Sequence, residues 1–325
     1  MAALTPLPAL PASSTDATGA LLSGLFAGTL HRDPVADGPR EGRVRRWRYV
    51  AAGDEHAMVG VAVVDLGFVG VAFAFAAAAG RVAQAQSRRP LARGVHVGST
   101  PGAGAACRTR RAAIDIDGAG GFRLDLPASG GRLRAEVEVA RPVVDATLLT
   151  PTPEGGWNAT VKAAGAPVHG HVRIGDGPQV ALGPHAGAWS DWTAGRQDRV
   201  TTWRWGAGAG VAADGRRVGV NVSTGMNGAG AGEDVVWWDG VPHALPLERL
   251  GPTGDDTEGA WHLAGGATDL RLAPRAARRA HEQLPLLTSS YVQPFGVWRG
   301  ALVDPTGAAA DVTLAGVAED HLAVW

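Results

Sequence analysis

The sequence predicts an all-β protein folded as two antiparallel barrel or sandwich halves in tandem, with little helix. Three observations predict it. From Arg46 onward, short apolar or alternating runs recur between turn signals roughly every eight to twelve residues, the spacing of a sandwich or barrel. The clearest runs alternate with period two, which puts their apolar side chains on one face of a strand. Several runs are joined by the Asp-Gly and Gly-rich turns that close hairpins.

The elements follow in chain order. Residues 1–43 are rich in Ala, Pro, Ser, Thr and Gly and then charged, a composition that predicts a loosely ordered lead-in. Residues 44–185 form the first predicted β domain. Within it, the apolar stretch 59–79 is long enough to be weighed as a membrane span. Asp65 and the glycines at 60, 67 and 70 fit interrupted strands better. Ile114-Asp-Ile116 and Phe122-Arg-Leu-Asp-Leu126 flank the turn Asp117-Gly-Ala-Gly-Gly121, which predicts a hairpin. In residues 132–140, Leu133, Ala135, Val137 and Val139 share a face, opposite Arg134, Glu136 and Glu138.

Gly183-Pro184 is a natural joint, so the second β domain is predicted over 186–325, with the join near residues 180–190. There Asp214-Gly215 precedes the alternating run Val218, Val220, Val222. Val235 to Trp238 runs through Asp239-Gly240 into Val241 to Leu245. One short polar helix is expected over residues 274–283, starting at a proline and carrying Arg275, Arg278, Arg279 and His281.

A net charge of -1 gives no bulk electrostatic reason to bind nucleic acid or anionic membrane. Lys162 is the single lysine; every other basic residue is arginine, and glycine is abundant. This bias points to a GC-rich, actinobacterial source and cautions against treating each arginine as a chosen anion ligand. Cys107 is the one cysteine, which excludes an intramolecular disulfide and a cysteine-rich zinc site. The N-terminus lacks a basic segment ahead of an apolar run, so no secretory signal is read there and a cytoplasmic location is expected.

Among motifs, Gly228-Ala-Gly-Ala-Gly232 has glycines but no strand-loop-helix context and no following Lys-Ser or Lys-Thr, so it is not a phosphate loop. No Gly-x-Ser-x-Gly nucleophile elbow occurs. His169-Gly-His171 places two imidazoles on one face of a strand without a third ligand at recognisable spacing, and no metal site is expected. The tryptophans say more. Of eleven, seven fall within residues 189–261. Such rings fill cores, and they also line pockets for apolar or cationic ligands. Trp203 and Trp205 lie two apart and face the same side of one strand. Asp191, Arg199, Asn221, Asn227, Glu233, Asp234 and His262 are interspersed with them, and Glu319-Asp-His321 lies near the C-terminus. A carboxylate desolvated by indoles is a candidate general acid; in the plainer alternative, Asp191 caps a turn and pairs with Arg199.

An ordered set of strings carries a resemblance over about residue 44 to the end. They are Asp65-Leu-Gly-Phe-Val-Gly70, Gly156-Trp-Asn-Ala-Thr-Val-Lys162 and Ser190-Asp-Trp-Thr-Ala-Gly-Arg-Gln-Asp-Arg-Val-Thr-Thr-Trp-Arg-Trp205. Gly219-Val-Asn-Val-Ser-Thr-Gly-Met-Asn-Gly228, Glu233-Asp-Val-Val-Trp-Trp-Asp-Gly240 and Trp261-His262 follow. Ser289-Ser-Tyr-Val-Gln-Pro-Phe-Gly296 and Gly316-Val-Ala-Glu-Asp-His-Leu-Ala-Val-Trp325 complete the set. Together they resemble the bacterial family catalogued as domain of unknown function 2804, for which no activity is established. More weakly, the Asp-Trp element, the Trp-x-Trp strand and the Asp-Gly hairpin are similar to carotenoid 1,2-hydratases and tocopherol cyclases. That likeness implies two lipocalin-like halves and enzymes that protonate an isoprenoid double bond without a cofactor. Trp192-Thr-Ala-Gly195 stands where those relatives carry His or Glu-Trp-Gly after the Asp.

The expected function is therefore binding of an apolar small molecule, a lipid or isoprenoid, in a tryptophan-lined pocket of the second half. Two alternatives stand beside it: a cofactor-independent hydratase, cyclase or isomerase, and a non-catalytic scaffold for a partner. Asp191 and Arg199 are the candidate catalytic residues. Trp192, Trp203, Trp205, Asn221, Asn227, Glu233, Trp237, His262, Tyr291, Gln293 and His321 are the candidate ligand contacts. No cofactor, no metal, no nucleic acid and no stable membrane insertion are expected.

Overall fold

The computed structural model describes residues 3–17, 19–34, 44–226, 232–284 and 287–325. Almost all regular structure is β-strand, arranged as two antiparallel sheets, one a nearly closed barrel and the other a curled half-barrel. Among the described residues the one helical element is a single 3-10 turn, Pro101–Ala103. No helix there is long and apolar enough to cross a membrane; the 59–79 stretch forms strands Met58–Asp65 and Val69–Ala78.

The first sheet runs from edge strand Arg81–Pro90 through Val69–Ala78, Met58–Asp65 and Arg45–Gly53 to Gly187–Arg196. It continues through Trp157–Ile174, Gly131–Val139, Phe122–Ala128, Ala113–Ile116 and Ala105–Arg108 to Val95–Val97. The second sheet runs in the order Val241–Ala244, Val235–Trp238, Arg217–Thr224, Val200–Ala212, Ala309–Val324, Leu287–Val303, Thr268–Leu284, Trp261–Gly265, Arg249–Pro252. The expected hairpins at Asp117–Gly121, Asp214-Gly215 and Asp239-Gly240 each join neighbouring antiparallel strands.

Three differences from expectation have physical causes. The chain passes from the first sheet to the second between Arg196 and Val200, beyond the Gly183-Pro184 turn, because Gly187–Arg196 pairs with Arg45–Gly53 on one side and Trp157–Ile174 on the other. Residues 274–283 are not a helix but part of the long strand Thr268–Leu284, with Arg278 and Glu282 buried and Arg279, His281 and Gln283 exposed. That alternation has period two, but its inward positions are charged, so no apolar stripe reveals it. In the lead-in, Gly24–Ala27 pairs with Ala146–Pro151 and Leu4 is buried, so part of this segment is tied to the fold.

The apolar core divides accordingly. One cluster fills the curve of the first sheet, with Leu133, Leu149, Val172 and Trp192, and a second fills the curve of the other, with Trp261, Leu263, Trp298 and Leu314. A third lies between the sheets, around Tyr49, Phe75, Trp189, Trp205, Trp237 and Phe295. Close approach there depends on glycine. Gly165 takes φ of +91° at a bulge in Trp157–Ile174, and a Cβ on Gly219 would sit 2.2 Å from the Ala164 carbonyl carbon.

Candidate functional site

Between the sheets, next to the third cluster, lies a cavity of about 130 Å³. The first sheet contributes Trp47, Tyr49, Phe73, Lys162 and Asp191; Trp203, Trp205, Glu233, Tyr291, Glu319, His321 and Trp325 come from the other half of the chain. Strand alternation selects them. Trp47, Tyr49 and Ala51 project from Arg45–Gly53 toward the second sheet, whereas Val50 and Ala52 project into the first sheet's own core.

One wall is a charged cluster. The Lys162 ammonium lies 3.0 Å from Asp191 Oδ2 and 3.0 Å from Glu233 Oε2, and all three side chains are nearly buried. Burial pulls the Lys162 pKa down, but the two carboxylates outweigh it and hold it above the ordinary lysine range. Asp191 is surrounded by donors: Trp47 Nε1–H donates to Oδ2 at 3.0 Å, Thr193 Oγ1 to Oδ1 at 2.8 Å, and Thr160 Oγ1 to Oδ1 at 3.1 Å. Asn221 braces the same wall, accepting from Trp205 Nε1 at 2.8 Å and donating to the Glu233 carbonyl at 2.9 Å. The Lys162 ammonium lies 5.7 Å from the Trp205 ring centroid, near enough for a cation–π attraction.

The other wall is built on Glu319 and His321. Glu319 accepts from Trp203 Nε1 at 2.9 Å and from Gln293 Nε2 at 2.6 Å. His321 Nδ1 lies 3.1 Å from Glu319 Oε1, and its Nε2 lies 2.8 Å from Ser289 Oγ. The imidazole packs on Trp203, ring centroids 3.9 Å apart, and faces Tyr291 at 5.0 Å. With Nδ1–H donating to Glu319, Nε2 is an acceptor for the Ser289 hydroxyl, so both ring nitrogens are engaged.

Tyr49 and Tyr291 line the space between these walls. Burial, reinforced by the nearby Glu319 carboxylate, pushes the Tyr49 phenol well above its ordinary value; burial does the same to Tyr291 against the opposing pull of Arg278. Both phenols are therefore protonated, and neither hydroxyl makes a well-formed hydrogen bond. Trp189 Nε1 and Arg278 Nη1, which act on them, likewise lack a well-formed partner. Of these groups Tyr49 and Tyr291 line the cavity, where their hydroxyls can engage a ligand's oxygen. The Arg278 guanidinium stacks over Phe73 at 3.7 Å and donates to Gln86 Oε1 at 2.5 Å, tying the two sheets together behind the aromatic wall.

Of the residues singled out in the sequence, Asp191, Trp203, Trp205, Glu233, Tyr291 and His321 line this cavity, and Asn221 and Gln293 brace it. Others lie elsewhere. Trp192 is adjacent to Asp191 on a strand and so faces the opposite side, into the first sheet's core, where its Nε1 donates to the Gly98 carbonyl. Trp237 packs between the sheets with its Nε1 on the Val144 carbonyl, and His262 pairs with Asp269 at 2.8 Å. Arg199 is exposed on the turn between the sheets; Lys162 takes the place beside Asp191 expected for it. Asn227 lies outside the described residues. His169 and His171 sit on the outer side of their strand, and no group of three metal-ligating side chains occurs among the described residues.

Sequence reasoning missed Lys162, Trp47, Tyr49, Phe73 and Glu319 as parts of one site. The signal for Lys162 was available: one lysine kept in a chain that otherwise uses only arginine marks a position where a compact ammonium is required.

Solved structures share this architecture. An AttH candidate from Nitrosomonas europaea aligns with a TM-score of 0.52 at 9% identity, covering 97% of this chain and 98% of that one. Kievitone hydratase from Nectria haematococca aligns at 0.51 with 11% identity, covering 98% of each. At identities this low the likeness shows a shared fold alone. No curated protein matches the sequence at a significant level. The sequence profile of the domain of unknown function DUF2804 matches residues 12–325, and the chain belongs to that family.

Proposed function

We propose that the cavity between the sheets binds a compact, largely apolar molecule bearing an oxygen function and carries out cofactor-independent proton-transfer chemistry on it, of the hydration or isomerisation type. The observation that carries this reading is the pairing of two buried charged clusters, Lys162–Asp191–Glu233 and Glu319–His321, around one aromatic cavity. A passive carrier for an apolar molecule gains nothing from five ionisable groups, each of which costs free energy to bury. The roles follow from the contacts. Lys162 and the Tyr49 and Tyr291 hydroxyls hold the ligand's oxygen, and His321, oriented by Glu319, moves the proton at Nε2 once the Ser289 hydroxyl turns away from it. Asp191, surrounded by donors, positions Lys162 rather than acting as the acid. About 130 Å³ is close to the ~150 Å³ of a cavity that admits benzene, so the fit is to a single ring or short branched chain rather than a long lipid.

The test is a panel of small enones and short isoprenoid alkenes, with binding read by tryptophan fluorescence and turnover by proton NMR in deuterated water. Bound members should exchange or add water. Loss of the His321 proton relay in His321→Gln should lower turnover by about 10²–10⁴ while binding persists. Saturable binding with no turnover in any bound member would reduce the site to a carrier. A partner scaffold is disfavoured by the existence of the cavity itself.

A further inference from the structure

A second cavity, of about 480 Å³, lies on the concave side of the first sheet and shares no lining residue with the one between the sheets. Its walls include Val161 and Ala163, the neighbours of Lys162 that face the other way, and it contains Arg48, the neighbour of Trp47 and Tyr49 that faces the other way. Thus the same two strands that build the first site build this space with their alternate residues.

Arg48 is the anomaly. It is 4% exposed, makes no salt bridge or hydrogen bond among the described residues, and its Nε is buried without a partner. The carboxylates that attract it at longer range are Asp145, Asp191 and Asp117. Asp191 holds Lys162, and Asp117 accepts from the Ala119 and Gly121 amides in its own turn. Asp145 lines the same cavity, where it is bonded to Thr29 and attracts Arg48 from beyond ion-pair distance. A buried, unpaired guanidinium is expensive and is retained where an anion completes it. Its planar fork matches a carboxylate in two parallel hydrogen bonds. Among the described residues no carboxylate comes within ion-pair distance of the fork, which leaves its donors to a ligand, and the walls at Val161 and Ala163 suit an apolar body. A volume of about 480 Å³ lies within the range of small-molecule sites.

We propose that this cavity is a separate binding site for a small organic monocarboxylate, its carboxylate on Arg48 and its apolar portion against Val161 and Ala163. Titration with 4-fluorobenzoate, followed by fluorine NMR, tests it, with the uncharged 4-fluorobenzyl alcohol as the paired probe. Benzoate should bind saturably at one per chain and at least tenfold more tightly than the alcohol. Arg48→Gln should weaken benzoate at least tenfold, and Ala163→Phe, which fills the cavity and leaves Arg48 in place, should do the same. His321→Gln, on the far wall of the site between the sheets, should leave benzoate binding unchanged. Equal affinity for acid and alcohol, or loss on His321→Gln with none on Ala163→Phe, would overturn the assignment. The first of these comparisons needs no variant. Because His321 lines only the site between the sheets, failure here is distinguishable from failure of the proton-transfer reading.

Discussion

Replacing Lys162 by Met tests the electrostatic logic of the site most directly. The side chain is 8% exposed and its ammonium lies 3.0 Å from a carboxylate on either side. At an effective dielectric of about 20, each contact is worth roughly 5 kcal/mol of attraction, offset by several kcal/mol for desolvating the ammonium. Methionine keeps most of the volume but leaves Asp191 and Glu233 buried without their cation, so the expected loss is about 3–5 kcal/mol at pH 7.5. The pH dependence has a definite sign. Lysine's own pKa is raised on folding, so its stabilisation is present throughout the neutral and acid range and is lost only as alkaline pH passes the folded value. The deficit of the variant therefore comes from two carboxylates left buried without their cation. Urea unfolding followed by far-ultraviolet circular dichroism at pH 7.5 measures it. A loss below about 1 kcal/mol would refute the idea that the lysine compensates two buried anions.

Other expectations can be checked alongside. Burial pushes the Asp234 carboxyl up from 3.8 to about 7. The folded state then binds a proton the unfolded state has lost, so this group costs stability increasingly as pH rises from about 4 to about 7. Asp234→Asn should raise the melting temperature at pH 8, by an amount equivalent to about 1–3 kcal/mol, and leave it nearly unchanged at pH 4. Gly219→Ala should cost at least about 3 kcal/mol in urea unfolding, since its Cβ meets the Ala164 backbone; Gly254→Ala, with open space around it, should stay within about 0.5 kcal/mol. Trp192→Ala should lose about 3–5 kcal/mol of stability yet leave ligand binding between the sheets intact, whereas Trp203→Ala should weaken that binding at least tenfold by fluorescence titration.

Local chemistry was readable in the sequence and distant pairing was not. The turns at Asp117–Gly121, Asp214-Gly215 and Asp239-Gly240 each form from adjacent residues whose conformational preferences are written at the turn itself. Strand Gly187–Arg196 shows why the halves were harder to divide. Its own residues specify a strand, but which neighbours it takes depends on Arg45–Gly53, more than a hundred residues earlier. The site follows the same rule. Trp203, Trp205 and His321 stand out because they share one region of the chain or one terminal string. Trp47, Tyr49 and Phe73 reach them only through the packing of the two sheets. The charged inward positions Arg278 and Glu282 hide a strand because burial there rests on ion pairing and cation–π contact rather than on apolar surface.

The placement of Gly187–Arg196 has a practical consequence for anyone dissecting the molecule. A cut at the Gly183-Pro184 turn would carry this strand away with the C-terminal piece. Arg45–Gly53 and Trp157–Ile174 would then face each other across an empty slot, each with a row of unanswered amides and carbonyls. The C-terminal piece would trail a ten-residue strand ready to pair with any open edge. Two fragments made that way should recombine or aggregate, while a cut at residues 197–199 leaves the strand in its slot. The same ten residues would make a peptide probe: added to a first half lacking them, they should insert as the missing stave and restore a closed wall.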